Sequence, residues 1–139
     1  MLKSMLRPRV EGFFVSIGLL AIRLVAGAAF MHHGLPKIQN PFNWMPGSSM
    51  PSILIALAAV AEFFGGISWV LGLFTPLFSL MIACTMGVAV STHLGHGDPF
   101  IGHAGPSYEI AALYLAIAVN FLFSGPGKFS LDAWLFGKK

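Results

Sequence analysis

Two residues of opposite charge, Arg23 and Glu62, each stand alone in a long apolar stretch of this sequence. Each lies roughly 15 Å into its stretch at the rise of an α-helix, which is close to the middle of a bilayer core of about 30 Å. An unpaired charge at that depth costs about 2.5–3.5 kcal/mol on insertion scales. We therefore expect Arg23 and Glu62 to pair inside the membrane. The pair would either line a polar site for a ligand or a proton, or clamp two helices in register.

The last apolar stretch carries two further polar residues, Glu109 near its start and Asn120 near its end. Both lie on one helical face with Ala112 and Ala116, and this small, polar face is expected to pack inward and join the polar core. An alternative role for Glu109 is that of a carboxylate near the positive end of the helix dipole.

All five histidines fall at the ends of apolar stretches on one side of the predicted membrane: His32, His33, His93, His96 and His103. His33 is placed with the intramembrane core, and the other four form a possible cluster on the outer side. Imidazoles could hold zinc or copper, although His93-x-x-His96 fixes no third ligand and no metal is assigned. They could instead bind a quinone or small phenol whose ring packs on nearby aromatic residues, namely Phe42, Trp44, Phe100 and Tyr108. A third interpretation is that they satisfy helix ends and loops in the wet interface.

The composition fixes the environment in which these residues act. Of 139 residues, 56% are hydrophobic and 9% are charged, against about 25% charged in soluble domains. A soluble enzyme, a disordered chain and a nucleic-acid binder are excluded, and an integral membrane protein is indicated. We predict an all-α four-helix bundle, one membrane domain over residues 1–139, with spans near 12–34, 52–74, 76–94 and 107–124. The single cysteine, Cys84, excludes an intramolecular disulfide and is expected to be a small buried residue.

Basic residues predict the orientation of the bundle. Lys3, Arg7 and Arg9 precede the first span; Lys128, Lys138 and Lys139 follow the last. The positive-inside rule therefore puts both termini in the cytoplasm. After the last span, Ser130 is a suitable N-cap for a short helix in the cytoplasmic interface, anchored by Trp134.

Three segments of the chain resemble the DoxX family of small four-helix bacterial membrane proteins. They are Arg23-Leu24-Val25-Ala26-Gly27 through Phe30 to His33-Gly34 and Lys37, then Glu62-Phe63-Phe64-Gly65-Gly66 with Gly72, then Asn120 with Gly125-Pro126-Gly127-Lys128-Phe129-Ser130-Leu131-Asp132. The resemblance implies a multi-pass protein of the bacterial plasma membrane that is linked to redox chemistry. Some members are named as subunits of thiosulfate:quinone oxidoreductase or terminal quinol oxidase, and others are tied to quinone or catechol resistance.

The function expected from residues and resemblance together is a redox-associated inner-membrane protein. It would interact with quinone, the one cofactor expected, or act as a small membrane subunit of an oxidoreductase complex. Catalysis by the chain itself and service as a non-catalytic scaffold both fit the pattern. A small transporter or channel, formed by a homo-oligomer around the Arg23–Glu62 pair, is a further alternative. The expected partners are the lipid bilayer and either oxidoreductase subunits or further copies of the chain, and not nucleic acid.

Overall fold

The computed structural model of the protein describes residues 12–103 and 105–137. These residues form five helices and no strand: α1 (Phe13–Gln39), α2 (Ser52–Leu71), α3 (Thr75–Gly95), α4 (Glu109–Ser124) and α5 (Leu131–Phe136). The all-helical fold is as predicted. The basic residues Lys3, Arg7, Arg9, Lys138 and Lys139, on which most of the predicted orientation rests, lie outside the described residues.

Helices α1, α2 and α3 are long and apolar enough to cross a membrane. Helix α4 is also apolar but has 16 residues, which give it a length of about 24 Å, somewhat less than a hydrocarbon core. Many large apolar side chains point away from the protein, among them Phe14, Val25, Leu113 and Phe123. An exposed apolar surface of this extent is typical of a protein whose solvent is lipid.

The helices pack in sequence order, α1 on α2, α2 on α3 and α3 on α4. The core centres on Trp69 of α2, which is fully buried. Its ring meets Phe30 and Phe121 edge to face, with ring centroids 5.3 and 5.1 Å away, and its Nε1–H donates to Ser79 Oγ at 2.9 Å. One residue thereby connects α1, α3 and α4.

Helices α1 and α2 approach so closely that glycine is required at the contact. A Cβ added to Gly27 would lie 2.8 Å from the Gly66 carbonyl oxygen, and one added to Gly66 would lie 2.6 Å from the Met31 nitrogen. Small residues let membrane helices come together in this way. Their helical spacing predicts that Ser16, Arg23, Gly27, Phe30 and Gly34 share one face of α1, and all five are buried.

The two ends of the helices differ in how they are connected. At one end, called here the turn end, residues 72–74 join α2 to α3, with Gly72 in the left-handed conformation at φ 65°. The segment 125–137 also lies at this end, where Gly127 approaches Leu19 and Ser16 of α1. At the other end, the loop end, residues 40–51 join α1 to α2 and the 96–108 connection joins α3 to α4.

The predicted boundaries need one large correction, because α1 continues to Gln39 instead of ending near Gly34. Pro36 lies within the helix and does not stop it. The extra turn brings Lys37 alongside α2.

Candidate functional site

The charged residue predicted inside α2 has a partner on α1, but that partner is Lys37. Lys37 Nζ lies 2.7 Å from Glu62 Oε1 and 2.6 Å from Oε2, so the ammonium donates to both carboxylate oxygens. The Glu62 side chain is 5% exposed and that of Lys37 is 24% exposed. The carboxylate is therefore buried between the helices, and the ammonium covers it on the side that reaches the surface.

Trp44, in the connection between α1 and α2, completes this group. The Lys37 ammonium lies 4.4 Å from the centroid of its indole ring, within the range of a cation–π interaction. The indole Nε1–H donates to the Ile55 carbonyl at 2.9 Å, which holds the ring against the start of α2. Lys37, Glu62 and Trp44 are called here the loop-end site.

The local sequence explains why the loop-end site forms. Gly34 packs directly against the backbone of Glu62 and Phe63, so α1 and α2 are nearly in contact at this level. Lys37 follows Gly34 by one helical turn, on the same side of α1, and its long side chain can reach the carboxylate. His33 lies four residues before Lys37 and is exposed, so it borders the same helix face.

Arg23 has an entirely different environment at the turn end. It is 1% exposed, and its guanidinium donates to four backbone carbonyls: Trp69 at 2.7 Å, Val70 at 3.0 Å, Pro126 at 3.0 Å and Phe129 at 2.8 Å. Two of these carbonyls belong to the last turn of α2, where the i+4 N–H partners of a helix interior are absent. The Trp69 carbonyl also accepts from the Gly72 N–H at 3.3 Å. The other two belong to the segment after α4. Arg23 thus fastens the C-terminal segment to α1 and α2.

Asp132 completes the attachment of that segment. Its carboxylate is fully buried and accepts hydrogen bonds from the Phe74 and Thr75 N–H groups at 2.8 and 2.9 Å. These groups lie at the first turn of α3, where a negative charge is favoured by the helix dipole. The Asp132 N–H donates to the Gly72 carbonyl at 2.8 Å. Helix α5 begins where predicted, because Ser130 Oγ accepts from the Ala133 N–H at 3.1 Å.

The predicted Arg23–Glu62 pair is wrong, and the register of the two helices gives the reason. Gly34 of α1 lies level with Glu62, whereas Gly27 lies level with Gly66 and Val70. Arg23 is eleven residues from Gly34, which corresponds to about 16 Å along the helix. The two charges therefore occupy opposite ends of the α1–α2 contact. The transporter hypothesis loses the charge pair on which it was based.

The predicted inward face of α4 is also wrong. Glu109, Ala116 and Asn120 are exposed, whereas Ala118 and Phe121 are buried. Tyr114, which is partly buried, lies on that same face and meets Phe30 with ring centroids 4.7 Å apart. Aromatic packing against Phe30 and Trp69 decides how α4 is rotated, and this leaves Glu109 at the exposed start of the helix.

The histidines do not assemble into one cluster. His32, His33, His96 and His103 are exposed, and His93 pairs with Asp98, with Nδ1 and Oδ2 2.7 Å apart. Within residues 12–103 and 105–137, no three His, Cys, Asp or Glu side chains are placed to hold a metal ion. Cys84, expected to be buried, is exposed on α3.

The residues that matter most in the structure were not all singled out by their sequence context. Lys37 lies beyond the predicted first span of 12–34, because Pro36 is a residue type that usually ends a helix. Asp132 lies in the first turn of α5, and its role as a cap for α3 depends on a contact between segments 57 residues apart. The indication available in the sequence is that Asp132 is the single acidic residue of the segment 125–137, which is rich in apolar residues and glycine.

Chemically, the loop-end site offers an ammonium, a carboxylate and an indole ring at the edge of the helices. An ammonium donates to a carbonyl oxygen, a carboxylate accepts from a hydroxyl, and an indole stacks on a planar ring. Among residues 12–103 and 105–137, the turn end offers no comparable group, because the polar atoms of Arg23 and Asp132 bind the backbone.

Comparison with known proteins identifies a family and two relatives to which this chain is similar. The family model described as DoxX matches residues 18–96. A protein of Bacillus subtilis (strain 168) named "Putative oxidoreductase CatD" is 30% identical over 128 residues, which cover 88% of this chain and 91% of that protein. A protein of Haemophilus influenzae named "Uncharacterized protein" is 32% identical over 121 residues, covering 84% of this chain and 90% of the relative. No solved structure matches this chain.

Proposed function

Because this chain belongs to the DoxX family, we propose that it is a redox-associated membrane protein that binds a quinone at its loop-end site. The observation that carries the proposal is the Lys37–Glu62 pair beneath Trp44. The name of the Bacillus subtilis relative supports the link to redox chemistry.

The contacts suggest a role for each residue. Lys37 is the more exposed partner of the pair, so its ammonium is the group that donates to a carbonyl oxygen of the ring. Glu62 holds the ammonium in place from the buried side, by accepting hydrogen bonds from it through both carboxylate oxygens. Trp44 offers a planar face beside the ammonium, and His33 on the exposed surface exchanges a proton with water. We propose further that the loop end faces the exterior of the plasma membrane.

The test measures binding of duroquinone to the purified protein in lipid nanodiscs. Lys37→Met removes the donor, and we expect affinity to fall about tenfold, the effect of one charge-assisted hydrogen bond. Lys37→Met combined with Glu62→Gln removes the donor without leaving a buried carboxylate unpaired, so this variant should fold and still bind weakly. Glu109→Gln is the matched control, because it makes the same carboxylate-to-amide change at an exposed helix start. Equal binding by the wild-type protein and the folded double variant would remove the loop-end site from quinone recognition.

A second candidate, a membrane subunit of an oxidoreductase complex, is favoured by the outward face of α3. Leu77, Leu80, Cys84 and Val88 are exposed on it at helical spacing. A partner subunit covering this face would shield the Cys84 thiol. Labelling by a membrane-permeant maleimide should then be slower in native membranes than in nanodiscs containing the purified chain. Equal labelling rates would indicate that lipid covers this face in both settings.

A further inference from the structure

The C-terminal end of α3 holds a histidine and an aspartate in a geometry that the backbone itself enforces. Gly97 takes a left-handed conformation at φ 77°. Its N–H donates to the Leu94 carbonyl at 3.1 Å, and the Asp98 N–H donates to the His93 carbonyl at 3.0 Å. This is the Schellman arrangement, which brings the side chains of His93 and Asp98 together. That contact is usually apolar, and here it is a hydrogen bond of 2.7 Å between His93 Nδ1 and Asp98 Oδ2.

The pairing determines what the other side of the imidazole can do. A carboxylate accepts the proton carried by Nδ1, so in the neutral imidazole Nε2 has no proton and is an acceptor. When the ring is protonated, Nε2 becomes a donor. The His93 side chain is 32% exposed and that of Asp98 is 16% exposed, so the imidazole is accessible to a ligand while the carboxylate is mostly covered.

Two aromatic residues lie in the connection to α4 that follows this pair. The Phe100 and Tyr108 rings lie with centroids 5.3 Å apart. The Tyr108 N–H donates to the Pro99 carbonyl at 3.3 Å, which closes the loop next to Asp98. The other titratable groups of this loop and of the helices packed against α3 are His96, His103, Tyr108, Glu109, Tyr114 and Glu62, the last of which is paired with Lys37. The family match ends at residue 96, so Asp98 belongs to a part of the chain that it does not cover.

We propose that His93 and Asp98 form a second site at the loop end, which hydrogen-bonds to a quinone-type ring and is selective for the reduced, hydroxyl-bearing form of that ring. A hydroquinone hydroxyl donates to Nε2 of the neutral imidazole, whereas a quinone carbonyl has no proton to offer it. The selectivity is lost when the imidazole is protonated, because Nε2 then donates and both a carbonyl and a hydroxyl oxygen can accept. This inference rests on the proposed binding of a quinone, and it adds the residues that distinguish the two oxidation states.

The experiment compares duroquinol with duroquinone, under argon, at about pH 5 and at about pH 8, the limits of the range in which histidine is the ordinary pH-sensitive side chain. In the wild-type protein, the preference for duroquinol should be about three- to tenfold greater at the higher pH, the effect of one hydrogen bond. His93→Gln retains a polar side chain without titrating, so the preference should no longer change with pH. Asp98→Asn can donate to Nδ1, which moves the imidazole proton to Nε2 and should remove the preference for duroquinol at the higher pH. His96→Gln, at an exposed position three residues further on, should behave like the wild type.

The possible outcomes separate this inference from the proposed function. If neither ring binds to the wild-type protein, both fail. If both rings bind with a preference that does not change with pH, or if His93→Gln keeps the wild-type dependence, the His93–Asp98 site is contradicted while quinone binding stands. If the pH dependence also disappears in His96→Gln, it arises from the loop as a whole, and the assignment to His93 fails.

Discussion

Replacing Arg23 by leucine should detach the C-terminal segment 125–137 from the helices while the helices themselves remain folded. The substitution removes four hydrogen bonds to buried or half-buried carbonyls, two on α2 and two in the segment 126–129. At about 1 kcal/mol of net stabilisation per hydrogen bond, the loss is on the order of 4 kcal/mol. Arg23→Lys keeps the charge but offers at most three donors from a single nitrogen, so it should lose roughly half as much.

Two measurements on the same samples check this prediction. The first is the free energy of unfolding, from titration with sodium dodecyl sulfate in mixed micelles. The second is hydrogen exchange at the amides of the segment, among them Lys128, whose N–H donates to Ser16 Oγ at 3.2 Å. We expect these amides to exchange faster in Arg23→Leu while those of α2 remain protected. Lys128→Met is the matched control, because it removes an exposed cation from the same end. A loss below about 1 kcal/mol in Arg23→Leu, with the segment still protected, would show that the four hydrogen bonds do not hold it.

Further substitutions test the packing and the helix caps. Gly66→Ala should destabilise the protein by about 1–3 kcal/mol, because the added methyl group meets the α1 backbone. Gly87→Ala on α3, where a Cβ has open space, should be neutral or stabilising by up to about 1 kcal/mol. Equal effects of the two substitutions on detergent unfolding would contradict the close approach of α1 and α2. Asp132→Asn should cost about 1–2 kcal/mol by weakening the cap on α3, and a midpoint within error of the wild type would oppose that role. Ser130→Ala should cost about 1 kcal/mol and speed hydrogen exchange in α5, and unchanged exchange would show that α5 does not depend on its cap.

The sequence allowed the helices and their buried faces to be predicted, because both depend on local patterns. Apolar runs between Pro- and Gly-rich joints located α1 to α4 to within a few residues at most ends. The helical spacing of Arg23, Gly27 and Gly34 identified the face of α1 that packs on α2. Ser130 is followed by a short amphipathic segment, and its capping role was confirmed.

The partners of the charged residues could not be predicted, because they depend on how far one helix slides along another. The predicted depths assumed that both spans begin at the same level. In the structure, close contacts of Gly34 and Gly66 set the register, and α1 extends beyond α2 at the turn end, where the C-terminal segment covers it. The rotation of α4 was missed for a related reason, since the polar pattern of Glu109 and Asn120 is outweighed by packing of Tyr114 and Phe121 on the core.

The pairing of Glu62 can be decided by charge reversal, with the free energy of unfolding as the measured quantity. Glu62→Lys places two ammonium groups together and should destabilise the protein by about 3 kcal/mol, the lower end for a broken buried pair because Lys37 is partly exposed. Adding Lys37→Glu restores opposite charges and should recover most of that loss. The double variant Glu62→Arg with Arg23→Glu should be no more stable than Glu62→Arg alone, because Arg23 lies at the turn end. Recovery by the Arg23 exchange, and none by the Lys37 exchange, would contradict the assignment of Glu62 to the loop-end site.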